Sequence, residues 1–536
     1  MAFRRAIRNQ VLGGLDAMLA EPARRVGAPN VRAQQSSTVR IVQVGVGVLF
    51  LGTTFILFMG YLFEDEQSSS MFPLIAAAFS FYLFVECQIF LRHVAAFGIL
   101  SPVFLASILH FYLAYVMPSA ASLHDVWVLD RFANYFVSQS EQLSEAMVLI
   151  ALAAFCMWRG YYAGLPAAGA LREHLRRVRS LRQDLRPALL PVLGLQIVYF
   201  GLIAFAIGRG VFGIASTVAD RQANLALLYG LRSGIMAGSL ALFLLLTYVF
   251  RRRVDGNPER VLTAISIVLI VLNVLTGAMS GFKSQIVMPF VTLAFAKFVA
   301  VQRLPLMYPL AACLALVLAY QVIEPYRAFL HSHSVSGRTD IGSLVEALQK
   351  SQEQKGLVSP SSIPLTSQIA ARFDLTGMSA VGIAFVNGGG HIGAKSAEFA
   401  ESLYLSPVLA FVPRGLWPGK PSYSSGVWFN NVVLEKAEDG TTSVGMGPVT
   451  WLYFMGGTIG VVVGFFGLGF VQAIMFDGVA RAGAGGLVIF LSAAMTLVMI
   501  PSDVGPAFTG MLRMLPLAFV AQYVLLQPYR MTWDAG

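Results

Sequence analysis

Apolar residues run through this chain in blocks of about twenty, the length that spans a bilayer as helix, with short polar or basic breaks between them. The blocks fall near 41–63, 71–91, 94–117, 145–164, 188–208, 233–250, 261–281, 284–302, 305–323, 447–475, 485–502 and 513–528. Each can cross about 30 Å of hydrocarbon at about 1.5 Å of rise per residue. The pattern predicts an all-α polytopic membrane protein of about 12 transmembrane helices, with one large loop between helices 9 and 10. It divides the chain into an Arg-rich segment (1–40), nine spans (41–323), the loop (324–446), and three spans with the C-terminal tail (447–536). Within the loop, residues 341–355 have the periodicity of an amphipathic helix, and 365–387 is apolar enough for a helix or a re-entrant segment. A short surface helix is expected over 2–20.

Composition supports this pattern. Of 536 residues, 56 % are hydrophobic and 12 % charged, and the mean hydropathy is +0.68. Soluble domains carry about 25 % charged residues, and lipid-facing helices account for the deficit because a charge in hydrocarbon is costly. In a soluble protein the net charge of +10 would point to nucleic acid. Here the charge follows the topology, and no nucleic-acid partner is expected. Arg92, the run Arg172, Arg176, Arg177, Arg179, Arg182 and Arg186, then Arg251 to Arg253, Arg303 and Arg481 fall on one side. Glu64, Asp65, Glu66, Asp125 and Asp130 fall on the other. By the positive-inside rule the basic side is cytoplasmic, both termini lie there, and the long loop lies outside. The first 40 residues lack the pattern of a cleavable signal peptide.

Cys87, Cys156 and Cys313 sit inside apolar blocks and read as packing residues. No metal-ligand spacing occurs, and no metal or cofactor is expected. Glu86 and His110 lie within spans two and three. Such groups either serve a site or form a structural hydrogen-bonded pair between helices. Gly456-Gly457 is read as a point of close helix packing, and Gly388 to Gly390 as a loop.

The informative cations lie on the outer side, where topology does not require them. They are Lys283 in the tight turn Ser280-Gly281-Phe282-Lys283-Ser284, Arg327 just past span nine, Arg372, and the pair Arg414 and Lys420. Singly, each is explained by a neighbouring acid or by snorkelling to headgroups. Together they suit a phosphate or pyrophosphate, which Arg grips with its bidentate fork. Residues 412–428 combine Pro and Gly with Trp417 and Trp428, which can stack on a sugar face or anchor at the headgroup layer. Asp503 ends span eleven on this side, where it can hydrogen-bond sugar or orient an Arg.

The stretch Val412-Pro413-Arg414-Gly415-Leu416-Trp417-Pro418-Gly419-Lys420-Pro421 resembles the PR-x-x-WP-x-KP element in the large periplasmic loop of Wzy-type bacterial oligosaccharide repeat-unit polymerases. Gly281-Phe282-Lys283-Ser284 is similar to a turn of the same family, with Lys283 where many members carry Arg. The resemblance covers roughly 261–510. It implies a glycosyltransferase of the bacterial inner membrane, with its active site facing the periplasm, that polymerises O-antigen or exopolysaccharide. The substrate would be an undecaprenyl-diphosphate-linked oligosaccharide, and the partners membrane lipid, a chain-length regulator and a flippase. Arg327, Arg372, Arg414, Lys420 and Lys283 would then stabilise the leaving pyrophosphate, with Trp417, Trp428 and Asp503 on the sugar. His391, Glu398 and Asp374 are the candidates for deprotonating the acceptor hydroxyl.

Two other readings compete. An O-antigen ligase uses the same donor with a lipid A-core acceptor. A lipid or polysaccharide transporter or flippase predicts near-symmetric halves and buried midplane charges. The sequence shows neither internal repeat nor many such charges.

Overall fold

The computed structural model describes residues 29–63, 70–125, 127–130, 132–136, 138–177, 181–213, 225–302, 307–308, 310–311, 314–315, 349, 364–388, 412, 417, 425–435, 444–501 and 504–528. Among them the chain is helical, and the one sheet-like contact is an isolated antiparallel bridge between Pro187 and Leu526. Eight of the described helices are long and apolar enough to cross a membrane. They expose apolar side chains, as lipid contact demands: Val44, Val48, Phe55 and Ile56 on the first, and Val261, Ile267, Val268 and Val271 on a later one. The candidate surface helix 2–20 lies outside the described residues. So does 341–355, Gln349 apart.

The chain divides into two compact units, Met1–Leu181 with Ile363–Phe519, and Arg182–Ser362 with Val520–Gly536. In the first unit, α1 (Pro29–Leu62), α2 (Phe72–Leu91), α3 (Pro102–Ser122) and α4 (Gln139–Arg177) follow the first four predicted spans. The middle of α3, Ser107–Val116, winds as a π-helix and contains His110. At 39 residues, α4 is longer than expected. It runs for about 58 Å and takes in the first half of what the sequence reads as the basic loop 165–187.

In the second unit, α5 (Leu189–Gly208), α6 (Leu225–Val254), α7 (Arg260–Ser280) and α8 (Lys283–Val301) follow the next four spans. The turn between α7 and α8 is tight because Gly281 has φ 72°, a conformation that an L side chain resists. Glu259 closes the turn between α6 and α7, accepting from Tyr248 at 2.8 Å and Arg252 at 3.0 Å. Arg182 lies over the Tyr523 ring at 4.8 Å, and its backbone N–H donates to Gln522 at 2.9 Å.

The first unit continues with α9 (Leu365–Phe373), α10 (Thr376–Asn387), the short α11 (Ser425–Trp428), α12 (Pro448–Ala473), α13 (Ala484–Met499) and α14 (Val504–Leu525), whose last turns enter the second unit. The segment 365–387 is therefore two helices rather than one element. A main seam is α4 against α12. Between helices in lipid there is little hydrophobic drive, so close backbone approach carries the association. Gly160 and Gly164 lie directly on the backbone of Phe466 and Phe470, and Gly469 on that of Met157. Trp158, Tyr161, Phe90 and Phe104 fill the space beside this seam.

One reading is corrected here. Gly456-Gly457 is no packing contact: a Cβ at either position would meet nothing within 4 Å. Gly457 has φ 57° and ψ −148°, and the pair breaks α12 into two segments. Cys87 and Cys156 are buried free thiols, as their apolar settings imply; Cys313 lies outside the described residues.

Candidate functional site

The polar residues that converge on an accessible cavity gather around α10. A residue pattern of small and apolar groups lets this helix pack on its neighbours, and its start is held at three points. The Asp374 carboxylate accepts the backbone N–H groups of Thr376 at 2.8 Å and Gly377 at 3.1 Å. Thr376 Oγ1 donates to the Tyr115 carbonyl at 3.2 Å, and Leu375 N–H to the Ala114 carbonyl at 2.9 Å. Together these fix α10 on α3. Without Asp374 the first N–H groups of α10 would lie unsatisfied in a buried site.

The other end of α10 opens a cleft of about 310 Å³, lined by Tyr135, Gln142, Glu145, Val381, Ala384, Phe385, Asn387, Gly388 and Val433. This is the small end of the roughly 300–1,000 Å³ range of ligand pockets. A hydrogen-bonded chain crosses it. Tyr453 O–H donates to Asn387 Oδ1 at 2.8 Å, and Asn387 Nδ2 donates to Glu145 Oε1 at 2.7 Å. The carboxylate needs a donor, so it sets which way the amide faces. Tyr135 O–H donates to the Leu434 carbonyl at 2.9 Å, pinning that ring at the cleft wall. Phe385 is backed by Trp428, with ring centroids 6.4 Å apart, and Trp428 meets Phe454 edge-on at 5.6 Å. An aromatic wall beside an oriented amide and a carboxylate suits a ligand with both apolar faces and hydroxyls, as a sugar ring has.

Of the residues singled out in the sequence, Trp428 belongs to this wall. Asp374 is buried at the start of α10 and does not line the cleft, whose nearest α10 residue, Val381, lies about two turns further along the helix. Arg372 is exposed in the last turn of α9, beside Asp374 in the chain. Trp417 is 42 % exposed. Lys283 is the first residue of α8, and its side chain is not described. Arg327, His391, Glu398, Arg414, Lys420 and Asp503 lie outside the described residues. The carbonyl of Val412, which precedes Pro413-Arg414, accepts from Arg513 of α14 at 3.4 Å.

Sequence reasoning missed Glu145, Asn387, Tyr135 and Tyr453. Glu145 carried little signal, since acids are ordinary on the outer side of this chain. The others carry no pattern of their own.

Two further polar groups lie within the helices. Glu86 of α2 accepts from Arg159 and from Tyr162 at 3.2 Å, both on α4. His110 packs edge-on against Phe111 and Tyr115 at 5.2 and 5.5 Å. Glu86 is therefore a helix-pairing residue toward α4, and its partner is not His110. Asp477 accepts from Tyr161 and from Arg481 at 3.2 Å. Among the described residues no three His, Cys, Asp or Glu side chains are grouped to hold a metal ion.

The family described as "Domain of unknown function (DUF8712)" matches residues 225–489. That is just under half of the chain, and it takes in α10 and Tyr453 but not Tyr135, Gln142 or Glu145. No curated protein matches the chain. No solved structure matches it.

Proposed function

We propose that this protein is a membrane glycosyltransferase that polymerises undecaprenyl-diphosphate-linked oligosaccharide repeat units on the periplasmic face of a bacterial inner membrane. In this reading it crosses the membrane about 12 times, with both termini cytoplasmic and the loop 324–446 periplasmic. The observation that carries it is the cleft beside α10, where the Glu145 carboxylate, the Asn387 amide and an aromatic wall converge. Its lining comes from Tyr135 before α4, from Gln142 and Glu145 in the first turns of α4, from α10 and from Val433 after α11, at ends that the charge pattern assigns to the outer side.

The chemistry follows from the groups present. The acceptor hydroxyl oxygen attacks the anomeric carbon of the donor, the bond from that carbon to the diphosphate oxygen breaks, and undecaprenyl diphosphate departs with the electron pair. Glu145 takes the hydroxyl proton. Its Oε1 is held by Asn387, and Oε2 has no protein partner among the described residues. The outer cations Arg414, Lys420, Arg327, Arg372 and Lys283 would meet the charge that develops on the diphosphate. Asp374 serves better as the cap that positions α10, and His391 and Glu398 remain sequence candidates for assisting the proton transfer.

One observation favours another class. The Glu86–Arg159 pair lies within the helices, where a transporter or flippase keeps its working charges. A ligase reading differs from the polymerase in its acceptor alone.

Purified protein mixed with lipid-linked repeat units should yield a ladder of polymer on a gel. Glu145→Gln should lower the rate by about 10²- to 10⁴-fold, and Arg414→Ala should abolish the ladder, both in folded protein. Absence of a ladder from the wild type with native substrate would overturn the polymerase. The same donor offered with a lipid A-core acceptor would then test the ligase.

A further inference from the structure

One face of α10 forms the floor of the cleft. Val381, Ala384, Phe385 and Gly388 recur at helical spacing and line it together. The floor is apolar. Glu145 stands over it, and every other described residue of the lining is neutral. The cleft is thus a carboxylate above an apolar surface, with no cation on its described lining.

That charge decides what can enter. Like charges a few ångströms apart repel, the more so where protein displaces water. A diphosphate, or the carboxylate of a uronic acid, would meet Glu145 with nothing on the described lining to offset it. Hydroxyls are favoured instead. Glu145 Oε1 accepts from Asn387 at 2.7 Å, and Oε2 has no protein partner among the described residues. The Asn387 amide has two N–H donors. One goes to Glu145, while its Oδ1 accepts from Tyr453 at 2.8 Å. The other N–H and the open Oε2 make a neighbouring donor and acceptor, which adjacent hydroxyls of a sugar ring match. A hydroxyl donating to a carboxylate makes a strong, charge-assisted bond. Phe385, backed by Trp428, offers its ring to the apolar face of the sugar. At about 310 Å³ the cleft takes the end of a glycan rather than its length.

We propose that this cleft is the acceptor subsite, that it takes the terminal sugar of a glycan in neutral form, and that Glu145 determines this specificity by excluding anionic sugars and the donor diphosphate. The inference rests on the cleft being the site of glycosyl transfer. The donor diphosphate then lies outside the cleft.

The test is saturation-transfer NMR of the full chain in nanodiscs of phosphatidylcholine, a lipid without net charge. The probes are methyl glycosides of glucose, galactose and mannose, each against the glycoside of its uronic acid, in which a carboxylate replaces the hydroxymethyl group. Binding is read without turnover, so the result stands apart from polymerisation. Wild type should bind at least one neutral glycoside, with a preference of roughly tenfold over its uronate. Glu145→Gln keeps the shape and removes the charge, and it should bring the two within about twofold. Glu141→Gln, exposed one turn earlier and not on the cleft, should behave as wild type. In about 1 M salt, where the screening length falls to about 3 Å, the wild-type preference should narrow. A preference that persists in Glu145→Gln is steric and would overturn the role of the charge. Equal binding of uronate and neutral glycoside by the wild type would overturn the specificity, even where a polymer ladder forms. Binding of none of the probes would overturn the sugar subsite. A missing ladder beside intact selectivity would overturn the polymerase alone.

Discussion

Asp374 shows how one carboxylate can be read in two ways until its partners are known. In the sequence it is an acid beside Arg372 on the outer side, suited to proton transfer. In the fold its Oδ1 accepts two backbone N–H groups at the start of α10. Asn caps a helix as well as Asp does, whereas Ala does not. Asp374→Ala is therefore expected to lower stability by about 0.5–2 kcal/mol in thermal unfolding of the detergent-solubilised protein. Asp374→Asn should stay near wild type in both stability and polymerisation rate. A folded Asp374→Asn protein with a rate reduced a hundredfold or more, the scale of a lost general base, would return the residue to catalysis. Glu145 is the opposite case. Its residue type carried the same chemistry, but its value came from Asn387, 242 positions away in the chain.

At the scale of elements, glycine decides how helices meet. Gly160 on α4 and Gly467 on α12 look alike in sequence, each within an apolar block. Gly160 faces the Phe466 backbone, while Gly467 faces open space. Gly160→Val is expected to destabilise the protein by about 3 kcal/mol, the upper end of ordinary overpacking, because a backbone cannot move aside as a side chain can. Gly467→Ala should stay within about 1 kcal/mol of wild type. Thermal unfolding of the two variants in one detergent compares them. The Gly456-Gly457 pair makes the same point in reverse. Two small residues in an apolar span suggested close contact, yet they interrupt the helix, since φ 57° with ψ −148° at Gly457 is open to glycine almost alone.

At the scale of the molecule, the charge pattern yields a topology that labelling can check. Leu123 and Glu435 are exposed on segments assigned to the outer side, and Arg177 and Arg253 on segments assigned to the inner side. In a chain with its native cysteines replaced, Leu123→Cys and Glu435→Cys should react with a membrane-impermeant maleimide added to intact spheroplasts. Arg177→Cys and Arg253→Cys should react after lysis alone. The reverse pattern would invert the topology and remove the periplasmic cleft from the proposed function.

The helical, membrane-spanning character was legible from the chain alone, because hydrocarbon forces every backbone polar group into internal hydrogen bonds and every span into a run of apolar residues. The positions of α1 to α8 and of α12 to α14 follow from that rule, within a few residues at most ends. The tight turn at Gly281 was legible for a similar reason, since a short link between two spans needs a residue free to take positive φ. The length of α4 was not, because a helix may continue past the bilayer without any change in its own hydrogen bonding. Nor were the partners of Glu86, Asp374 and Glu145. Apolar periodicity says which face of a helix is buried, but the choice of neighbour depends on packing among segments far apart in the chain. The cleft beside α10 arises from such packing, and tertiary structure alone assembled it.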